Sequence, residues 1–268
     1  MTSIKKVGVL GSGIMGSGLA EVVARAGLDV VVRSRTQAGA DAVLAKVDSG
    51  LARHVAKERM TEEERQAILG RISVTDHLGQ LADCDLVIES VVEDLEVKRA
   101  LFAELEQIVK PEGILATNTS TLPVVELAMM TQRPSQVCGI HFFNPAPAMS
   151  LVEIIRPLTA SDETIATAAG FVEACGKNAV HVEDRAGFIV NALLFPYLNN
   201  AVRMLENGTA SMDDIDAAMM GGCNFPMGPF ALLDLVGLDT SVSILEALYA
   251  EFSDANYAAV PLLRRMVA

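Results

Sequence analysis

The sequence predicts an α/β protein, with a doubly wound, mostly parallel sheet in residues 1–184 and an all-helical C-terminal domain in residues 185–268. Three observations predict this. Short β-branched runs alternate with longer helical patterns over the first two-thirds of the chain, as strands covered on both faces by crossover helices require. No strand run remains after about residue 184. A glycine pattern sits directly between the first strand run and the first helical run.

In chain order, Val7–Leu10 reads as a strand, and a glycine-rich turn leads into a helix from Ile14 to Ala26. Asp29–Arg33 reads as a strand, and helical sequence runs from Gln37 to Glu58 and, behind an N-capping Thr61, to Leu69. Ile72–Thr75, Leu86–Glu89, Ile114–Thr117 and Val137–His141 follow as strands, with helices over Glu93–Val109 and Pro123–Met129. Leu151–Ile155 and Ala179–Val182 are two more strands flanking a helix over Asp162–Cys175. Gly187–Glu206, Met212–Met220, Pro229–Val236 and Thr240–Phe252 then read as helices. The first of these is apolar nearly all round and is expected to be buried, within the domain or between subunits.

The 268 residues are 51% hydrophobic and 21% charged, which excludes disorder as the main state. A net charge of −13 argues against a nucleic-acid partner. An anionic ligand would have to be held by local groups: helix N-termini, backbone amides and a few placed cations. The cysteines at 84, 138, 175 and 223 form no metal or disulfide pattern and read as free thiols of a cytoplasmic protein. Lys5 and Lys6 run straight into the first strand without an apolar leader, and the most apolar stretch, 187–198, is broken by Asn191 and Pro196, so no membrane association is expected.

Gly11-Ser-Gly13-Ile14-Met15-Gly16 is a G-x-G-x-x-G at the start of a βαβ unit. The spacing serves a tight turn, room for a pyrophosphate, and close helix–strand packing, and the backbone N–H groups and helix dipole receive the phosphates. A Rossmann-like dinucleotide site follows; the alternative is a glycine turn needed only for packing. Such a site usually has an acid at the end of the second strand to hold the ribose 2′-OH. Here that tip reads Arg33-Ser34-Arg35, and Asp29 lies at the strand's other end. Guanidinium groups can grip a 2′-phosphate, so NADP(H) preference is expected; otherwise the arginines are solvated surface charges and NAD(H) serves as well.

In the stretch 139–155 two strand-like runs flank a Pro-rich connection. Antiparallel pairing about Pro147 would set His141 opposite Glu153, with Cβ atoms roughly 5 Å apart. Glu153 would orient the imidazole and His141 would act as general base or acid, although a lone strand histidine is often only structural. Asn118-Thr119-Ser120-Thr121 follows a strand at the sheet edge where such folds bind ligands. Ser120 there either hydrogen-bonds a substrate oxygen or caps the helix behind Pro123. Asn191, in an apolar helix, needs partners from a site or a neighbouring helix.

These motifs closely resemble the short-chain L-3-hydroxyacyl-CoA dehydrogenases, and most of all the bacterial 3-hydroxybutyryl-CoA dehydrogenases. The resemblance runs through residues 11–18, 93–98, 118–121, 139–155, 187–201 and 226–239 and covers essentially the whole chain. It implies His141 as general base, Glu153 as its partner, and Ser120, Asn144 and Asn191 near the substrate. It implies Glu93, Lys98 and Asn118 on the cofactor and Lys57 near the CoA phosphates. Taken alone, Glu93 reads as a helix-start carboxylate, Lys98 as a helix-surface cation and Lys57 as a solvated lysine. Many relatives have aspartate at Ser34, which supports the arginine argument, and arginine often stands where this chain has Ala192. Relatives usually continue past residues 262–266 into a glycine-rich, aromatic tail.

The implied reaction is hydride transfer between a nicotinamide cofactor and C3 of a short-chain 3-hydroxyacyl-CoA, in the direction of acetoacetyl-CoA reduction if NADPH is used, by a homodimer. The alternatives are a dehydrogenase of a non-CoA hydroxy or sugar acid, and a catalytically silent dinucleotide-binding protein.

Overall fold

The computed structural model describes residues 4–268. The chain forms two compact units, Met1–Asp184 and Arg185–Ala268.

In the first unit, strands β1 (Lys6–Leu10), β2 (Asp29–Arg33), β3 (Ile72–Thr75), β4 (Leu86–Glu89), β5 (Ile114–Thr117), β6 (Val137–Phe142), β7 (Leu151–Arg156) and β8 (Asn178–Glu183) form one sheet of order β3-β2-β1-β4-β5-β6-β7-β8. Every pairing is parallel except β6 with β7. Helices α1 (Ile14–Arg25), α2 (Gln37–Ala56), α3 (Glu62–Leu69), α4 (Leu95–Ile108), α5 (Val124–Ala128) and α6 (Asp162–Ala174) supply the crossovers. β4, β5 and β6 are buried throughout, because helices cover both faces, which is why they read as unbroken apolar runs. Val7, Val9, Leu19, Val23, Val30, Val32, Leu86 and Ile88 form the core around β1.

Four helix starts of this unit follow side-chain caps. Thr36 accepts from the Gly39 amide, Thr61 and Glu64 form a capping box, Asp94 accepts from Val97, and Ser161 accepts from Thr164. The cap at Asp94 starts α4 at Leu95 and leaves Glu93, expected inside the helix, in the preceding loop.

The parallel strands end at one edge. Gly11–Gly16, Arg33–Arg35, Glu89–Glu93 and Asn118–Thr121 all leave the carboxyl ends of β1, β2, β4 and β5, and His141 lies near the end of β6. Backbone bonds tie these exits together: Gly11 N donates to Arg33 O at 3.0 Å, Ser90 N to Leu10 O at 2.7 Å, and Asn118 N to Glu89 O at 2.8 Å.

The β6–β7 connection carries a cis Asn144–Pro145 peptide. Lys177, between α6 and β8, holds it from beneath: Nζ donates to the carbonyls of Ala146 (2.9 Å), Pro147 (3.1 Å) and Met149 (2.7 Å). Burial pulls the Lys177 pKa below its ordinary value.

The second unit is all-helical: α7 (Val190–Glu206), α8 (Met212–Cys223), α9 (Pro229–Val236), α10 (Leu238–Phe252) and α11 (Pro261–Val267). Phe195, Leu198, Val202, Phe230, Leu233, Leu245, Leu248 and Leu263 form its core. One expectation for α7 is corrected. It begins at Val190 rather than Gly187, because Gly187 (φ +72°) and Phe188 (φ +50°) are left-handed and cannot enter a helix. Within this chain Leu193 of α7 is 72% exposed. Among the described residues no helix is long and apolar enough to cross a membrane.

Replacing Lys177 by Met removes a charged donor shared by three carbonyls. The expected cost is about 1–3 kcal/mol, read as a lower urea midpoint at unchanged m-value. An unshifted midpoint would mean that water serves the carbonyls equally well.

Candidate active site

The glycine turn has the form that its spacing predicts. Gly11 has φ +122°, and a Cβ there would lie 2.2 Å from the Ser90 carbonyl oxygen. A Cβ at Gly16 would lie 2.0 Å from the Gly11 carbonyl oxygen, so only glycine lets α1 start this close to β1. A Cβ at Gly13 would meet nothing within 4 Å, and no side chain caps α1. The first-turn N–H groups, including those of Ile14 and Met15, are therefore not taken up by a cap, and Ile14 is 63% exposed at the mouth. This cradle fits a dinucleotide pyrophosphate.

At the end of β2, Ser34 is buried and its hydroxyl is 3.0 Å from that of Ser12. Arg33 Nε donates to the Asp76 carbonyl oxygen at 3.2 Å, and Arg35 is exposed. Asp29 lies at the opposite end of the strand, 3.5 Å from Arg71.

The register of β6 and β7 pairs His141 with Glu153, as the sequence symmetry predicts. Side chains alternate along a strand, so both fall on the same face of the sheet. Gly139, two residues before His141, is paired with Ile155, and a Cβ there would lie 2.7 Å from that of Ile155. His141 Nδ1 lies 2.8 Å from Glu153 Oε2, and Nε2 lies 3.1 Å from Ser120 Oγ. His141 and Glu153 are both buried. A carboxylate only accepts, so it selects the tautomer with hydrogen on Nδ1 and turns the Nε2 lone pair outward. The Phe143 ring packs against the imidazole with centroids 4.5 Å apart.

Ser120 is not a helix cap. Val124 and Val125, at the start of α5, donate instead to the Asp184 carboxylate at 3.0 and 2.7 Å. The Ser120 amide donates to Glu93 Oε1 at 2.9 Å, and the Thr119 hydroxyl bonds to the same oxygen. Lys98 corrects the surface reading: it is 1% exposed, with Nζ 2.7 Å from Glu89 Oε1 and 3.1 Å from Glu93 Oε2. Asn118 Oδ1 accepts from the Phe142 amide at 2.8 Å, which ties the Ser120 segment to the strand bearing His141. Asn144 is exposed beyond β6, and Lys57 is exposed at the C-cap of α2. Asn191, in the second unit, is buried in the first turn of α7.

Sequence reasoning missed Glu89, Thr117, Lys177 and Asp184. Glu89 had a signal: an acid ending an otherwise apolar strand buried on both faces must find a cation, and Lys98 lies one helical turn into α4.

Comparison with known proteins agrees with this geometry. A family model described as 3-hydroxyacyl-CoA dehydrogenase, NAD binding domain, matches residues 6–185, and one described as 3-hydroxyacyl-CoA dehydrogenase, C-terminal domain, matches residues 187–268. The fold and site thus define a nicotinamide-dependent oxidoreductase. The chain belongs to the 3-hydroxyacyl-CoA dehydrogenase family. It is 45% identical to a 3-hydroxybutyryl-CoA dehydrogenase of Mycobacterium tuberculosis over 267 residues, 99% of this chain and 93% of that protein. It is 44% identical to a 3-hydroxybutyryl-CoA dehydrogenase of Clostridioides difficile over 262 residues, 98% of this chain and 93% of that one. Among solved structures, M. tuberculosis FadB2 superposes with TM-score 0.97 at 45% identity, covering 99% of this chain and 94% of that one. The (S)-3-hydroxybutyryl-CoA dehydrogenase PaaH1 from Ralstonia eutropha gives TM-score 0.96 at 40% identity, with 99% and 94% covered.

Burial pushes the Glu93 carboxyl pKa up, but the Lys98 charge and the bonds from Thr119 and Ser120 outweigh it and hold the carboxyl below its ordinary value of 4.5. A lowered folded value stabilises fully above the unfolded value, and that stability is lost as pH falls through the folded one. The Tm advantage of the wild type over Glu93→Gln should therefore shrink as pH is lowered below 4.5. A difference independent of pH would contradict this linkage.

Proposed function

We propose that this chain interconverts short-chain 3-hydroxyacyl-CoA and 3-oxoacyl-CoA esters, acetoacetyl-CoA and 3-hydroxybutyryl-CoA above all, with His141 and Glu153 as its acid–base pair. The observation that carries this is the buried Glu153 carboxylate 2.8 Å behind His141, with Nε2 turned toward the Ser120 hydroxyl.

A bound nicotinamide supplies the hydride acceptor or donor for substrate C3. In oxidation His141 Nε2 takes the proton of the 3-hydroxyl. Glu153, desolvated and already bonded to Nδ1, stabilises the imidazolium that results. In reduction the protonated His141 gives its Nε2 proton to the forming alkoxide. Ser120 bonds the same substrate oxygen and keeps it beside Nε2. Asn144 and Asn191 are assigned to substrate positioning, Glu93, Lys98 and Asn118 to the cofactor, and exposed Lys57 to the CoA phosphates; these roles rest on family membership.

NADP(H) is the preferred cofactor in this reading. No carboxylate ends β2, and Arg33, Ser34 and Arg35 offer guanidinium and hydroxyl groups to a 2′-phosphate. Reduction of acetoacetyl-CoA is then the favoured direction. The chain acts as a homodimer: Met204, Met212, Met220, Phe225, Leu193 and Leu235 leave the helical unit with exposed apolar surface that calls for a partner. Its free thiols suit a cytoplasmic setting.

His141→Ala should lower kcat for acetoacetyl-CoA reduction by ~10²–10⁴-fold while dinucleotide binding, followed by NADPH fluorescence, stays near that of the wild type. Near-normal turnover would remove the acid–base assignment. Ser34→Asp places a like charge beside the 2′-phosphate and should raise KM for NADPH by ~10-fold or more relative to NADH. Equal changes for both cofactors would reject the 2′-phosphate site.

A further inference from the structure

Four residues of β4, Leu86–Glu89, are fully buried, and the last is a carboxylate. An ion with no exposed surface loses several kcal/mol of hydration and persists only with compensating partners. Glu89 has three. Oε1 accepts from the Val91 amide at 2.6 Å and from Lys98 Nζ at 2.7 Å, and Oε2 accepts from Lys98 Nζ at 2.9 Å and from the Thr117 hydroxyl at 2.8 Å.

Two routes leave this carboxylate, and both end on the segment that bears Ser120. Along β5, Thr117 Oγ1 accepts from the Thr119 amide at 3.2 Å. Across α4, Lys98 Nζ stands 3.1 Å from Glu93 Oε2, while Glu93 Oε1 accepts from the Ser120 amide at 2.9 Å and the Thr121 amide at 3.4 Å. Ser120 Oγ then lies 3.1 Å from His141 Nε2. One ammonium is thus shared by two carboxylates: one anchors the sheet, and the other holds the loop.

We propose that Glu89 is a positioning residue for proton transfer: through Thr117 and through the Lys98–Glu93 pair it fixes where the Ser120 hydroxyl stands beside His141. This rests on the acid–base reading above and adds a residue to it that touches neither His141 nor the substrate. Glutamine has the shape of glutamate but only one acceptor oxygen, so Glu89→Gln cannot serve all three donors. Its amide N–H groups face an ammonium or a hydroxyl donor. Lys98 is left with Glu93 as its single carboxylate, and the loop held by Glu93 moves with it.

The test is a double-mutant cycle on kcat, with each variant's fold checked by its thermal transition. Glu89→Gln should lower kcat by ~10–100-fold, the scale of an ångström-sized misplacement. Combined with Ser120→Ala it should lower kcat no further than Ser120→Ala alone, because Glu89 acts through that hydroxyl. A folded Glu89→Gln enzyme with wild-type kcat, or losses that multiply in the double variant, would overturn the proposal while leaving the acid–base reading intact. Wild-type kcat in Ser120→Ala would remove the role of that hydroxyl and overturn the Glu89 proposal with it, while the His141–Glu153 pair keeps its own test in His141→Ala. Should Glu89→Gln not fold, Thr117→Val keeps every charge and cuts one route. It must show the same sign and the same non-additivity with Ser120→Ala, and multiplying losses there would likewise overturn the proposal.

Discussion

The site depends on one reversal of chain direction. β7 runs antiparallel to β6 at the end of an otherwise parallel set, and that pairing sets Glu153 directly across from His141. A parallel neighbour would need a crossover of a dozen residues or more and would not return the chain at this register. Here the connection is short, Gly139 leaves room for Ile155, and Lys177 gathers three carbonyls of the turn. The buried carboxylate is costly by itself and tolerable beside an imidazole that can become charged.

A second charge cluster, with Glu89 and Lys98 buried and Glu93 partly exposed, supports the first from the neighbouring strands. Glu89, Lys98 and Glu93 link the ends of β4 and β5 to the start of α4, and their hydrogen bonds close around Thr117, Thr119 and Ser120. Polar groups withdrawn from water in this way hold geometry because each lost bond leaves an unsatisfied partner. The carboxyl edge of the sheet therefore offers a rigid platform on one side of His141 and an open glycine cradle at β1.

Much of this was legible in the sequence because it rests on local rules. Strand and helix periodicity, the Thr61 and Ser161 caps and the glycine spacing each depend on a few neighbouring residues. The His141–Glu153 pairing was also legible, since a hairpin register follows from counting about its turn. What escaped was long-range and polar. Lys98 reads as a surface residue until β4 and β5 bring Glu89 and Thr117 beneath it. Asp184 caps α5 from sixty residues away, which no local pattern reveals. The start of α7 was misplaced because Phe188 takes a left-handed backbone that its residue type does not announce.

The acid–base pair turns on a single proton on one ring, and nitrogen NMR reads it directly. In protein labelled with nitrogen-15, the histidine signal missing from a His141→Asn variant identifies His141 among the four histidines. The Nδ1 nitrogen facing Glu153 should carry a hydrogen, and that signal should change in Glu153→Gln. A resting imidazole whose Nδ1 carries no hydrogen, or one that ignores the change at Glu153, would contradict this.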